Sequence, residues 1–349
     1  MQNDRQQARI VQQGSIHCFP VGLRDEQGNL VNAEVSAVMY DGERLLLASD
    51  KPIPGEHRSA VFALPMRENG PDDTALEYFT TPLIKRAVKY EDFALTADGK
   101  HVLATTGFDR IDDVTHDLNA YNHLLIWPLG EPDKVQAVDP DPRDGVEGSL
   151  ELRNKLNHAI GFPYYKIEGL AAVPGELGDG LLLFGVREQG QRHDNFSYVC
   201  RVIGAHYVVN ASGNLEFLDE MRELYAFTPT DHKEVTIACG LSSLEYDPYH
   251  HRLYLMTSFE TEVDGVERIG GYLWLMELDN LTTGEPPALI HGVDDRPLEF
   301  EHKAEGLAVL DHERLFVVYD NDREMGVGNI DERDERHASE ALYTLLHME

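Results

Sequence analysis

The stretch Ala304–Tyr319, AEGLAVLDHERLFVVY, decides the fold. An acid opens it, apolar residues alternate through the next positions, a polar Asp-His-Glu turn follows, and a second apolar run closes it. That is two short strands joined by a hairpin, with period-2 patterning and no helical periodicity. The same pattern occurs at Ala33–Ser49 (AEVSAVMYDGERLLLAS), Tyr90–Thr106 (YEDFALTADGKHVLATT), Ile167–Val186 (IEGLAAVPGELGDGLLLFGV) and Leu241–Ser258 (LSSLEYDPYHHRLYLMTS). Five copies, roughly 55 to 77 residues apart, are the mark of a repeat architecture.

Further strand candidates follow each pair, two per unit in the first four units. The last unit has only Ala341–His347 before the chain ends. The segment Ser15–Val21, ahead of the first unit, can supply the missing strand and close the ring, which removes the open sheet edge. The reading is therefore an all-β, five-bladed β-propeller whose N-terminal strand closes the last blade. Residues 1–14 form an N-terminal tail, and 15–349 form a single propeller domain. The stretch from Val138 to Tyr165 reads as an acidic loop with a short helical part.

Composition narrows the function classes. The 62 acidic and 30 basic residues leave a formal net charge of -32. Such a chain repels phosphate backbones and anionic lipid, so neither nucleic acid nor a membrane surface is expected as a partner. Three cysteines (Cys18, Cys200, Cys239) make no disulfide framework and no zinc motif. The polar N-terminus lacks an apolar signal core, so a cytoplasmic location is expected unless a leader was removed. No HExxH, GxSxG, Walker loop or dinucleotide fingerprint is present.

In a propeller the innermost strand of each blade runs along the central channel. Aligning the five repeats puts Ser36, Glu91, Glu168, Ser242 and Glu305 in register on that axis. Three carboxylates converging in a low dielectric need protons, water or a cation. An oxygen-only ring suits calcium, with magnesium as the other candidate, better than zinc. The other reading is a polar channel mouth that holds ordered water.

These axial residues resemble those of the calcium-activated nucleotidase (apyrase) family of five-bladed propellers. The order Ser-Glu-Glu-Ser-Glu is similar, as are the strings Glu34–Ser36, Gly240–Ser243 and Ala304–Gly306. Glu-Gly-Leu-Ala strings also occur in phytase-like propellers. The resemblance implies an axial calcium. It covers the inner strands and not most loops. Where that family has an Asp-Arg-Thr-Gly type loop, only Asp50 matches. Its Gly-Gly-Leu-Gly-Lys-Glu type loop is replaced by Thr105–Arg110. Its paired arginines appear as Arg187 followed by Glu188, and Glu260 resembles its fourth-blade acid.

The loops leaving each second strand should gather on one face. They carry Asp50 and Lys51, Asp109 and Arg110, Arg187 and Glu188, Glu260, and Asp320 to Arg323. In a phosphohydrolase the calcium would act as a Lewis acid. Arg110, Arg187 and Arg323 would hold phosphates, and Asp50 or Glu260 would orient or deprotonate water. The expected catalytic set is Asp50, Arg110, Arg187 and Glu260, acting on a small anionic substrate such as a nucleoside diphosphate. The competing reading is a non-catalytic scaffold that binds a protein partner, with a structural axial cation.

Overall fold

The computed structural model describes residues 6–111, 118–141, 148–175, 178–263, 265–320 and 337–349. The repeated hairpins form the two innermost strands of five antiparallel sheets. The inner strands are Val35–Tyr40, Tyr90–Leu95, Tyr164–Pro174, Gly240–Asp247 and Ala304–Val309. Each packs beside the next, and the fifth packs beside the first, so the ring is closed.

Apolar clusters fill the gaps between neighbouring blades. Met39, Val61, Phe93 and Trp127 join the first and second blades. Leu103, Leu156, Phe184 and Ile203 join the second and third. Val202, Leu241, Leu255 and Trp274 join the third and fourth. Met256, Leu273, Leu307 and Val317 join the fourth and fifth. Val35, Phe62, Phe316 and Tyr343 join the fifth to the first. Alternation along each strand supplies one face of side chains to each of these interfaces.

The ring closes as expected, with one correction. The closing strand is Ala8–His17, paired antiparallel with Glu340–Met348. Residues 8–14, read from sequence as tail, are thus part of the last blade. Their mixed polar sequence suits an outermost strand with one exposed face: Ala8 and Ile16 are buried while Ile10 and Val11 are exposed. The segment 138–165 contains a helix, Leu150–Ile160, whose Leu152, Leu156 and Ile160 pack between the second and third blades. It ends on Gly161, whose positive φ provides the left-handed cap.

The five inner hairpins share a defect in register. The ladder slips between Val35 and Ala37, Tyr90 and Asp92, Ile167 and Gly169, Leu241 and Ser243, and Ala304 and Gly306. In each blade the residue left without a cross-strand partner is the axial one: Ser36, Glu91, Glu168, Ser242 or Glu305. A β-bulge re-aims one side chain and bends the strand. Five bulges at one level mark the level at which the channel is functionalised. Gly306, just after Glu305, lets the last inner strand approach the first. A Cβ there would lie 3.1 Å from the Ser36 carbonyl oxygen and 3.0 Å from the Val38 nitrogen.

A charged cavity at the channel mouth

All five axial residues are buried. The two serines tie blades together: Ser36 donates to the Tyr90 carbonyl (2.5 Å) and Ser242 to the Ala304 carbonyl (2.8 Å). The three glutamates have internal counter-ions. Lys166 Nζ lies 3.2 Å from Glu91 and also bonds Glu168. Arg187 lies 3.0 Å from Glu168 and 3.9 Å from Glu305. Lys303 bridges Glu305 and Glu260, each at 2.8 Å, with Asp320 at 3.5 Å. Lys89 sits 3.0 Å from Asp109 and 3.9 Å from Glu91.

The sequence carries this network in a form the axial alignment passed over. Lys89-Tyr90-Glu91, Lys166-Ile167-Glu168 and Lys303-Ala304-Glu305 are three Lys-x-Glu repeats. Lys166 lies on its inner strand, Lys89 and Lys303 immediately precede theirs, and each lysine comes within ion-pair distance of its own glutamate. Arg187 joins them because it is itself bulged. The ladder passes from Lys166↔Glu188 to Ile167↔Val186 and leaves Arg187 unpaired on its strand. It is 2% exposed, bonds Ser258 Oγ and stacks over the Tyr198 ring at 5.0 Å.

Burial and neighbours drive the axial carboxyls apart. Burial raises Glu91 well above the ordinary carboxyl range, against Lys166. Burial also raises Glu305, to about 8, despite Lys303. Burial acts the same way on Glu168, but Arg187 and Lys166 outweigh it and bring that carboxyl down to about 2. Glu260 is also lowered: burial opposes ionisation, and Lys303 and Arg187 overcome it. Lys166 and Lys303 stay charged well above their ordinary value, because surrounding carboxylates override burial.

This donor set does not make an open calcium cage. Calcium takes six to eight oxygen ligands, whereas here ammonium and guanidinium groups stand between the three carboxylates and both serine hydroxyls serve inter-blade bonds. Lys166, Arg187 and Lys303 supply part of the positive charge that the sequence argument assigned to an axial cation: they bring Glu168 down, while Glu91 and Glu305 stay raised.

Above the ring opens a polar cavity of about 250 Å³. Its cations are Lys51, Lys89, Arg110, Lys166, Arg187 and Lys303, and its acids are Glu34, Asp50, Glu188, Glu260 and Asp320. The expected face residues Asp50, Arg110, Arg187 and Glu260 therefore do converge. Their settings differ from expectation in two respects. Arg187, Glu188 and Glu260 lie on strands that continue beyond the hairpin, Gly180–Arg192 and Arg252–Val263, rather than on loops. Arg187 is also locked in ion pairs, while Arg110 is half exposed, stacks on Tyr121 at 4.7 Å and lies 3.4 Å from Asp109. Asp50 pairs with Lys51 at 3.3 Å. Asn321, Asp322 and Arg323 lie outside the described residues.

Beside the mouth runs a larger groove of about 810 Å³, lined by Val31, Pro52, Ile53 and Arg58, that shares Glu34 and Lys51 with it. Next to Glu91, Asp92 ties the inner strands together. It is 1% exposed and accepts from Leu170 N (2.8 Å), Leu244 N (3.3 Å) and Ser243 Oγ (3.2 Å), so one carboxyl knits three blades.

The fold and the site together define a five-bladed β-propeller with a charged axial mouth. No known protein-family model matches the chain. A UDP-N-acetylmuramoylalanine–D-glutamate ligase of Lacticaseibacillus casei is 23% identical over 207 residues; the match spans 54% of this chain and 44% of the ligase. The chain thus matches less than half the length of that relative. Among solved structures, the PQQ-bound aldose sugar dehydrogenase of Streptomyces coelicolor is 12% identical with a TM-score of 0.40, covering 99% of both chains. A GH43 endo-arabinanase from Bacillus licheniformis is 10% identical with a TM-score of 0.35, covering 94% of this chain and 96% of its own.

Proposed function

We propose that this propeller binds a small anionic molecule at the channel mouth and hydrolyses a phosphoester or phosphoanhydride bond there. The observation that carries this is the gathering of six cationic side chains around one small cavity in a chain of net charge -32. Cations so placed draw an anion to the one part of an acidic surface that can hold it. Lys51 and Arg110, each about half exposed, are the groups that reach an incoming phosphate. Glu34, Asp50 and Glu188 accept from hydroxyls on the ligand body. The adjoining groove takes whatever extends beyond the cavity, which keeps nucleoside diphosphates among the substrates. Glu260, kept ionised by Lys303, orients or deprotonates the attacking water.

A second reading retains a divalent cation but moves it off the axis. Carboxylate oxygens of Glu34, Asp50 and Asp320 lie within 4.8 Å of one another. Lys51 already lies 3.2 Å from Glu34 and 3.3 Å from Asp50, so calcium or magnesium there would displace its ammonium.

Binding and phosphate release should be measured with pyrophosphate, sugar phosphates and nucleoside diphosphates, in chelator and in calcium. Lys51→Gln and Arg110→Gln should each weaken binding about tenfold. Glu260→Gln should lower turnover about 100-fold with binding kept. Binding without turnover on any substrate would reduce the site to a binding module, and binding only in calcium would favour the second reading.

A further inference from the structure

The channel has a second mouth, on the face where the inner hairpins turn. Its cavity, about 310 Å³, draws residues from all five blades, among them Tyr40, Leu95, Ala171, Tyr246 and Val309. Where the first mouth is polar throughout, this one is walled by tyrosines and aliphatic side chains. Two acids line it, Asp41 and Glu245, and only Asp41 belongs to the paired aspartates of the hairpin turns. The aspartate in each of four hairpins has a basic partner of its own: Asp41 with Arg44 (3.1 Å), Asp98 with Lys100 (3.0 Å), Asp247 with Arg252 (3.1 Å) and Asp311 with Arg314 (2.7 Å). Those aspartates also accept turn amide protons, so their role is to hold the turns. Glu245, on the cavity wall, has no cationic partner among the described residues. One of its oxygens, Oε1, accepts from Val309 N at 3.0 Å, and the other accepts nothing among those residues.

We propose that this second mouth binds an amphiphilic organic cation, a primary ammonium on a short apolar body, with Glu245 as counter-ion and Tyr40, Tyr246 and Tyr249 as walls. A carboxylate at the floor of a tyrosine-lined apolar cup is complementary to that class in charge and in shape. Burial holds the Glu245 carboxyl up at about 8, so an entering ammonium supplies the missing counter-charge and releases that proton, which neither an anion nor a neutral alcohol does. This cavity and the mouth proposed for phosphate share no lining residue, so the two sites would take ligands of opposite sign.

The ammonium could sit on a free amine or on a lysine side chain of a partner. Hexylammonium and a capped Gly-Lys-Gly peptide separate these sources, with n-hexanol and a capped Gly-norleucine-Gly peptide as uncharged controls. Calorimetric titration of the whole chain should show at least one ammonium probe binding tenfold or more tightly than its control. Glu245→Gln should remove that preference. This variant is expected to fold, because burial already raises the Glu245 carboxyl to about 8 and favours a neutral group there. Tyr249→Ala, on the exposed rim, should weaken the ammonium probe several-fold. Equal binding of charged and uncharged probes, binding by none, or an unchanged preference in Glu245→Gln would each overturn the proposal.

Discussion

Asp92 shows how one residue can hold a propeller together. Three donors from two other blades meet its carboxyl, and burial raises its ionisation well above the ordinary range. Asp92→Ala would strand those donors, and we expect a loss of about 3 kcal/mol or more. Asp92→Asn, which keeps an acceptor oxygen, should lose markedly less; equal losses in denaturant titrations would contradict this role. Glu305 makes a prediction in pH. Its folded value near 8 stands against an ordinary 4.5, through burial that Lys303 only partly offsets. A raised folded value means the folded state prefers the proton. This stabilisation is therefore full below about pH 4.5 and is lost as pH rises through about 8. The melting temperature of Glu305→Gln should match the wild type at the acidic end of that window and exceed it at the alkaline end. The opposite crossing would show that Glu305 is ionised when folded.

The elements show what sequence patterning reveals and what it hides. The inner hairpins were legible because alternation and turn residues recur five times, and their alignment located the five axial side chains. The bulge that aims those side chains was not legible, because the inner strands are buried on both faces and show no in/out alternation whose phase could shift. The lysines were legible in principle. Lys89, Lys166 and Lys303 each stand two residues before an axial glutamate, but reading the axis as a row of acids left these cations out of account. Arg187 and Glu260 were expected on loops because their strands turn polar beyond Val186 and Phe259, yet the ladder continues through cross-strand pairs such as Glu188↔Tyr198 and Glu260↔Ile269. The closing strand yields a test of its own. Removing residues 1–17 would bare the long edge of Glu340–Met348, and unpaired edges recruit other chains. Size-exclusion chromatography should show such a truncation aggregating; a stable monomer would mean that closure does not depend on Ala8–His17.

At the scale of the whole molecule, charge is distributed against the average. A chain with twice as many acids as bases concentrates six cations at one end of its channel, beside three buried glutamates. The repeated hairpins located the fold and the ring, while the lysines beside the glutamates lie outside the aligned axial positions. The measurement that tests the central claim most directly is calorimetric titration of pyrophosphate into metal-stripped protein, with and without calcium. Binding in chelator that Lys51→Gln and Arg110→Gln each weaken about tenfold is the predicted result. Binding that requires calcium and ignores both substitutions would contradict the account.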